Sequence, residues 1–184
     1  MGATKALEET YTQLLLRDPD RLKPLTVLTV MNNASASHIA IQQGLSGPNL
    51  TYSCACSSSA VAIGEACRQI RHGYADVMIA GGAEAPLSFC FFKAWEAMRI
   101  LAIPDRTNPS ASCRPFSKNR TGLVLGEGAA MVVLEEREAA IRRGARIYGE
   151  LVGYGSSNDH LHITKPSVEG QAQAMALALA DAGL

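Results

Sequence analysis

Residues 47–60 constrain the fold most, because their pattern changes from that of a strand to that of a helix within a few positions. The stretch opens with Gly-Pro, which is typical of a turn, and residues 49–55 then alternate as a strand does. Three serines, residues 57–59, mark a helix start, and apolar residues follow at helical spacing. Cys56 is therefore predicted where a strand breaks into the N-terminus of a helix.

A thiol at that point lies near the positive end of the helix dipole and near unpaired backbone N–H groups, which favour the thiolate. The same N–H groups could hold an oxyanion. The position suits a nucleophile, but these residues alone leave an inert, buried Cys56 equally open. The other cysteines, Cys54, Cys67, Cys90 and Cys113, are interpreted as small packed residues. A metal site at the Cys-Ala-Cys pair is disfavoured, because no second Cys or His cluster has matching ligand spacing.

Composition narrows the class of protein. The chain has 184 residues, enough for one domain, and 47% of them are apolar, as in a globular core. A net charge of zero gives no support for nucleic-acid or anionic-membrane binding. The sequence contains no apolar run of about twenty residues, which is the length that a membrane-spanning helix needs. Five cysteines without a disulfide-like pattern, and no signal peptide, indicate a reducing cytoplasm.

Strand-like and helical segments alternate along the chain. Helical spacing is found in residues 7–15, 37–44, 57–71, 135–143 and 172–183, and strands are predicted at 49–55, 75–80, 131–135 and 147–154. Helical segments and strands in alternation predict an α/β layered fold, with buried strands at 75–80 and 131–134. Residues 24–31 stay open between strand and buried helix. The aromatic-rich residues 87–101 are interpreted as core packing rather than as a ligand pocket.

Ala55-Cys56-Ser57-Ser58 resembles the active-site motif of the β-ketoacyl-acyl-carrier-protein synthases, most closely the type II enzymes of fatty acid and polyketide pathways. Other segments resemble the family's landmarks in order and spacing, so the likeness runs through essentially the whole chain. Several segments that agree together are more specific than any one of them. These segments are residues 75–84, Arg114-Pro115-Phe116, residues 126–129 and residues 158–164.

The resemblance implies a thiolase-like layered αβαβα fold of two similar halves, here incomplete. Residues 1–145, approximately, would form the N-terminal half without its first elements, and about 146–184 would start the C-terminal half. It also implies a homodimer, in which residues 49–55 of the two copies pair across a two-fold axis.

The resemblance implies a reaction as well. Cys56 would take an acyl group from an acyl-carrier-protein thioester, and malonyl-carrier protein would then lose CO₂ and condense with it to a β-ketoacyl product. No cofactor or metal is implied, because the substrates are carried on the phosphopantetheine of acyl carrier protein. By the same resemblance Trp95 stands near the acyl channel, and Asp159, His162 and Thr164 lie in a loop near the pantetheine channel.

The sequence departs from the family in several places. The two histidines that handle decarboxylation lie in His-Gly-Thr-Ser-Thr and Lys-…-Gly-His segments, and neither segment occurs here; the family's opening elements are also missing before Gly2. We therefore expect an internal piece of a synthase that does not condense acyl chains alone. Smaller departures are Cys54, Ser117 and Thr121.

Two other functions remain open at this stage. The chain could be a non-catalytic, synthase-like dimer partner, although such partners usually lack the nucleophile. It could also be a thiol hydrolase or acyltransferase that pairs Cys56 with His162 or His160 as the base.

Overall fold

The computed structural model describes residues 3–184, apart from the side chain of Pro19. These residues form seven α-helices and two β-strands, joined by short 3₁₀ turns and extended segments. In chain order the elements are α1 (Thr4–Leu16), α2 (Thr26–Val30), α3 (Ala34–Gln43), α4 (Ser58–Arg71), β1 (Val77–Glu84), α5 (Phe89–Ala97), β2 (Gly128–Glu135), α6 (Arg137–Arg142) and α7 (Val168–Ala182).

Contacts divide the chain into two compact units. The first contains the residues up to 45 together with 83–129, and the second contains 46–82 together with 130–184. In the first unit α1 packs against α2 and α5. The Thr4 hydroxyl donates to the Ala85 carbonyl oxygen at 3.2 Å, and this bond ties the start of α1 to the segment that leads into α5.

The second unit contains most of the two-stranded sheet of β1 and β2, with α4, α6 and α7. Two glycines let the chain before α7 run against that helix. A Cβ on Gly153 would meet backbone and side-chain atoms of Ala182, and a Cβ on Gly155 would meet the backbone of Ala174 and Ala178. Gly183 ends α7 in the left-handed conformation (φ 74°), as its place after the helix predicts.

Most predicted elements are confirmed. Helices lie at all the places where helical spacing was found. β2 covers the strand predicted at 131–135, and β1 overlaps the strand predicted at 75–80 but begins two residues later, at Val77. The open segment 24–31 is helical, because it contains α2. The aromatic-rich segment contains α5.

Two predicted strands are wrong for the described chain. Residues 49–54 form no strand and lead into the 3₁₀ turn Ala55–Ser57, and residues 147–154 form no strand either. A strand requires a hydrogen-bonded neighbour, and within residues 3–184 the only ladder of named strands joins β1 to β2. The alternating pattern predicts an extended chain, but a strand also needs a neighbouring chain with which to form hydrogen bonds.

The predicted burial is also wrong in several places. Cys54, Cys90 and Cys113 are exposed and Cys67 is half-buried, and β2 is exposed over most of its length. Among the described Ala, Val, Ile, Leu, Met, Phe, Trp, Tyr and Cys residues only Ala66, Ala80 and Ala140 are buried. Phe89 in the aromatic segment is 74% exposed, so this segment does not form a closed core. Within residues 3–184 no other layer of structure covers these exposed residues.

No helix in the described part of the chain is long and apolar enough to cross a lipid bilayer.

Candidate functional site

Cys56 lies in the 3₁₀ turn Ala55–Ser57, directly before the 14-residue helix α4. Its side chain is an exposed, free thiol. Ala55 has φ 53°, in the left-handed region, which costs an alanine about 1–2 kcal/mol. This bend begins the 3₁₀ turn that leads into α4 and puts Cys56 at the N-terminal end of that helix, where the helix dipole is positive.

Serine hydroxyls fix the backbone around Cys56. The Ser57 hydroxyl donates to the Cys54 carbonyl oxygen at 2.8 Å, and the Ser58 hydroxyl donates to the Ala55 carbonyl oxygen at 2.7 Å. The Ser58 oxygen also accepts from the Cys54 N–H at 2.9 Å. The turn is therefore held from both sides by side chains that begin α4.

Hydrogen bonds within this turn also determine which backbone N–H groups are free to donate to an oxyanion. The Ser57 N–H donates to the Cys54 carbonyl oxygen at 3.3 Å, and the Ser58 N–H donates to the Ala55 carbonyl oxygen. Within residues 3–184 the Cys56 amide donates to no protein acceptor. The Ser57 and Ser58 amides are thus engaged within the turn, and among the amides of this turn that of Cys56 remains available to an oxyanion.

Close packing on β1 holds the first turn of α4 in place. A Cβ on Gly82 would lie 2.8 Å from the Ser59 Cβ, which is closer than carbon atoms approach. A Cβ on Gly81 would likewise collide with the Ala130 carbonyl oxygen and with Met131 on β2. Only glycine at positions 81 and 82 lets the sheet and the start of α4 come this close.

Asp159 fastens its own loop. Its carboxylate accepts from the Leu161 N–H at 3.0 Å and from the Ser167 N–H. These bonds, Ser167 first and Leu161 next, hold the pKa of Asp159 below its usual value. Ser167 in turn caps α7, because its hydroxyl oxygen accepts from the Gly170 N–H at 2.9 Å. The loop from 159 to 167 is thus closed onto the start of α7.

His162 and Thr164 lie together in this loop. The Nδ1 atom of His162 accepts from the Thr164 N–H at 3.1 Å and lies 3.3 Å from the Thr164 hydroxyl oxygen. An accepting Nδ1 assigns the proton of the neutral ring to Nε2. Both side chains are exposed. No hydrogen bond joins Cys56 to either of them or to Asp159 in the described part of the chain.

Trp95 lies in the other unit, on α5, and is half-buried. A cavity of about 340 Å³ between α1 and α5 is lined by Leu7, Tyr11 and Phe91, among others. Ser88 also lines it and is buried, and its hydroxyl has no partner among the described residues. Trp95 does not line this cavity, nor the second one of about 650 Å³ beside Phe92, Arg99, Ile103, Leu123 and Leu125.

Glu8 has a structural role that its sequence context does not indicate. Its carboxylate accepts from the Phe89 N–H at 3.3 Å and from the Cys90 N–H at 2.6 Å. A side chain of α1 therefore caps the N-terminus of α5. No local signal could have found this contact, because the two partners lie about eighty positions apart in the chain.

The described residues contain no cluster of three or more His, Cys, Asp or Glu side chains that could hold a metal ion. The five cysteines are all free. Around Cys56, then, the structure offers a thiol, one free amide and a helix N-terminus, which together suit nucleophilic attack on a carbonyl group.

The sequence is similar to several known proteins. Nodulation protein E of Rhizobium sp. is 48% identical over 180 residues, which cover 98% of this chain and 43% of that protein. The 3-oxoacyl-[acyl-carrier-protein] synthase 2 of Synechocystis sp. is 40% identical over 186 residues, covering 100% of this chain and 44% of that protein. The chain thus spans less than half the length of these curated relatives.

Solved structures agree. A β-ketoacyl synthase from Burkholderia phymatum matches with a TM-score of 0.87 and 36% identity, over 100% of this chain and 44% of that one. A type II polyketide ketosynthase, bound to the hexaketide and in complex with its acyl-carrier protein, matches with a TM-score of 0.90 and 33% identity, over 97% and 46%. These neighbours are thiolase-like ketosynthases, which confirms the predicted fold class, an incomplete thiolase-like α/β fold. Residues 1–140 match the family model of the β-ketoacyl synthase N-terminal domain, and the chain therefore belongs to the β-ketoacyl synthase family.

Proposed function

We propose that the chain is part of a β-ketoacyl-acyl-carrier-protein synthase in which Cys56 carries the acyl group. One observation carries the proposal: an exposed thiol stands on a tight, strained turn at the start of α4, with its own amide free. The kinship with 3-oxoacyl-[acyl-carrier-protein] synthases supports the reaction class.

The first half-reaction is acyl transfer. The Cys56 thiolate attacks the carbonyl carbon of an acyl-carrier-protein thioester, and the carbonyl oxygen becomes an oxyanion near the Cys56 N–H. When the tetrahedral intermediate collapses, the bond from carbon to the phosphopantetheine sulfur breaks. The carrier leaves as a thiolate, and the acyl group stays on Cys56.

The second half-reaction is condensation. Malonyl-carrier protein loses CO₂, and the resulting carbanion attacks the carbonyl carbon of acyl-Cys56. The Cys56 thiolate leaves, and a β-ketoacyl thioester remains on the carrier. The family's two histidine segments for this step do not occur in the 184-residue sequence, so we propose that this chain alone stops at acyl transfer.

We assign the other predicted site residues to substrate binding. Exposure of His162 and Thr164, and the bond between them, support a role in meeting the pantetheine arm. The bonds of Asp159 support a positioning role, because they shape the loop that presents these two residues. From the resemblance to the family we propose that Trp95 lines the channel for the acyl chain. Trp95 lies on α5, and Glu8 holds the start of that helix in place.

The proposed partners are acyl carrier protein and a second copy of the chain. A relative of known structure is a ketosynthase in complex with its acyl-carrier protein. Residues 49–54 form no helix or strand and have no ladder partner among the described residues, and Leu50 is 54% exposed. Backbone without ladder partners favours pairing with another chain, which supports dimerisation through residues 49–55. The five free cysteines support a place in the reducing cytoplasm.

The alternative of a Cys–His hydrolase has less support. It needs a base within hydrogen-bond reach of the thiol, and no bond joins Cys56 to His160 or His162 in the described part of the chain. The alternative of a non-catalytic, synthase-like dimer partner also has less support, because such partners usually lack the nucleophile and this chain has Cys56.

The test supplies the 184-residue chain with acyl- and malonyl-carrier protein and follows thioesters by mass spectrometry. We expect acyl transfer onto Cys56, its loss in Cys56→Ala and its retention in the matched control Cys113→Ala. Condensation should be undetectable, because each missing histidine is worth about 10²–10⁴ in rate. Robust β-ketoacyl product that depends on Cys56 would contradict the assignment of the condensation step to absent residues, and transfer that survives in Cys56→Ala would refute the nucleophile.

A further inference from the structure

We infer that Cys54 and Cys56 together form a reversible oxidation site, at which a hydroperoxide converts the two thiols into a disulfide that blocks the nucleophile. Both cysteines are free and exposed, and Ala55 alone separates them. The proposed function uses Cys56 only and gives Cys54 no role.

The backbone brings the two residues within disulfide range. Two residues of extended strand span about 6.6–6.8 Å between Cα atoms, which is the upper limit for a disulfide. Here the chain is bent: Ala55 has φ 53°, and the Ser57 N–H closes a turn onto the Cys54 carbonyl oxygen at 3.3 Å. A chain bent in this way brings the Cα atoms of residues two positions apart closer than a strand does, which favours the range that a disulfide permits.

The turn is also fixed before oxidation. Hydroxyl groups of Ser57 and Ser58 hold the carbonyl oxygens of Cys54 and Ala55 at 2.8 and 2.7 Å. A thiol pair held in this way meets at a high effective concentration. The next cysteine in the same unit, Cys67, is half-buried on α4, and its sulfur lies 4.0 Å from the Leu151 carbonyl oxygen, so Cys54 is the better placed partner.

The chemistry balances with a hydroperoxide as the oxidant. The Cys56 thiolate attacks one peroxide oxygen, the O–O bond breaks, and the products are Cys56 sulfenic acid and, after protonation, an alcohol or water. The Cys54 thiol then attacks the Cys56 sulfur, a sulfur–sulfur bond forms, and a water molecule leaves. Two thiols lose two electrons and two protons, and the peroxide is reduced.

The experiment exposes the 184-residue chain to hydrogen peroxide, traps the remaining thiols with iodoacetamide and maps the peptides by mass spectrometry. In the wild type and in the control Cys67→Ser, the peptide with both cysteines should lose two hydrogens, resist alkylation and recover with dithiothreitol. In Cys54→Thr, Cys56 should pass to sulfinic acid instead, about tenfold more than in the wild type, because no neighbouring thiol intercepts the sulfenic acid.

Three outcomes would overturn the inference. They are equal sulfinic acid in the wild type and Cys54→Thr, a disulfide from Cys56 to a different cysteine, and an equal rate of pairing in the urea-unfolded chain, since the turn would then contribute nothing. Acylation of Cys56 should be lost on oxidation and return on reduction. If the reduced chain never accepts an acyl group, the proposed function fails, but the peptide masses still decide the oxidation site.

Discussion

Gly82→Ala should displace the first turn of α4 and slow the alkylation of Cys56. The added Cβ would lie 2.8 Å from the Ser59 Cβ, whereas carbon atoms in contact prefer about 3.5–4.0 Å. Either β1 or the start of α4 must therefore move by about 1 Å. Overpacking of this kind costs about 1–3 kcal/mol. Gly82 is not in the left-handed region, so the contact alone, and not backbone strain, causes the loss.

The matched control is Gly128→Ala. Gly128 is also a strand glycine, but a Cβ there would meet nothing within 4 Å. Urea unfolding followed by circular dichroism gives the free energy of unfolding, and peptide mapping gives the iodoacetamide rate at Cys56. We expect a loss of stability and slower Cys56 labelling in Gly82→Ala only. Equal values in the two variants would refute the idea that packing of Gly82 on Ser59 positions the Cys56 turn.

Two further predictions concern carboxylates that join distant parts of a unit. Asp181 accepts from the Tyr154 N–H at 2.9 Å and pairs with Arg71 at 2.8 Å, and these partners, in that order, lower its pKa. Its contribution to stability is therefore present above the ordinary aspartate pKa of about 3.9 and is lost as the pH falls through the lower folded value. Asp181→Asn should flatten this acid limb in urea titrations, and an unchanged limb in that variant would contradict the linkage. Glu8→Ala should speed amide hydrogen exchange at Phe89 and Cys90, since both amides lose their acceptor; the exposed neighbour Glu9→Ala is the control, and equal exchange in both would show that Glu8 does not cap α5.

Local patterns predicted the parts of the fold that local physics decides. The apolar spacing after Cys56 is enough to predict α4, although the Ser57 hydroxyl donates back to the Cys54 carbonyl oxygen and does not cap the helix, and Gly183 is enough to end α7. The thiol at the helix N-terminus followed from the same pattern. The left-handed Ala55 did not, because alanine rarely adopts that conformation and the serine bonds that hold it are a property of the folded turn.

Non-local contacts explain what the sequence did not show. Alternation in residues 49–55 and 147–154 predicts an extended chain but cannot name a neighbour, and the described residues supply none. The predictions of burial were wrong for the same reason, because Cys54, Cys90 and most of β2 would need a covering layer. Glu8 reaches α5 only through tertiary packing of α1, which no short motif encodes.

The central claim is that Cys56 is the nucleophile, and competitive labelling of the five thiols tests it most directly. The folded chain is treated with a limiting amount of iodoacetamide, and the modified fraction of each cysteine is mapped by mass spectrometry. Three other thiols are also exposed, so exposure alone predicts similar labelling of Cys54, Cys56, Cys90 and Cys113. We predict that Cys56 is modified first, because it lies at the N-terminus of α4. Cys90 also lies in the first turn of a helix, α5, but there the Glu8 carboxylate already accepts from its N–H and offsets the positive end of the helix. Modification of Cys67 or Cys113 well before Cys56 would contradict this prediction.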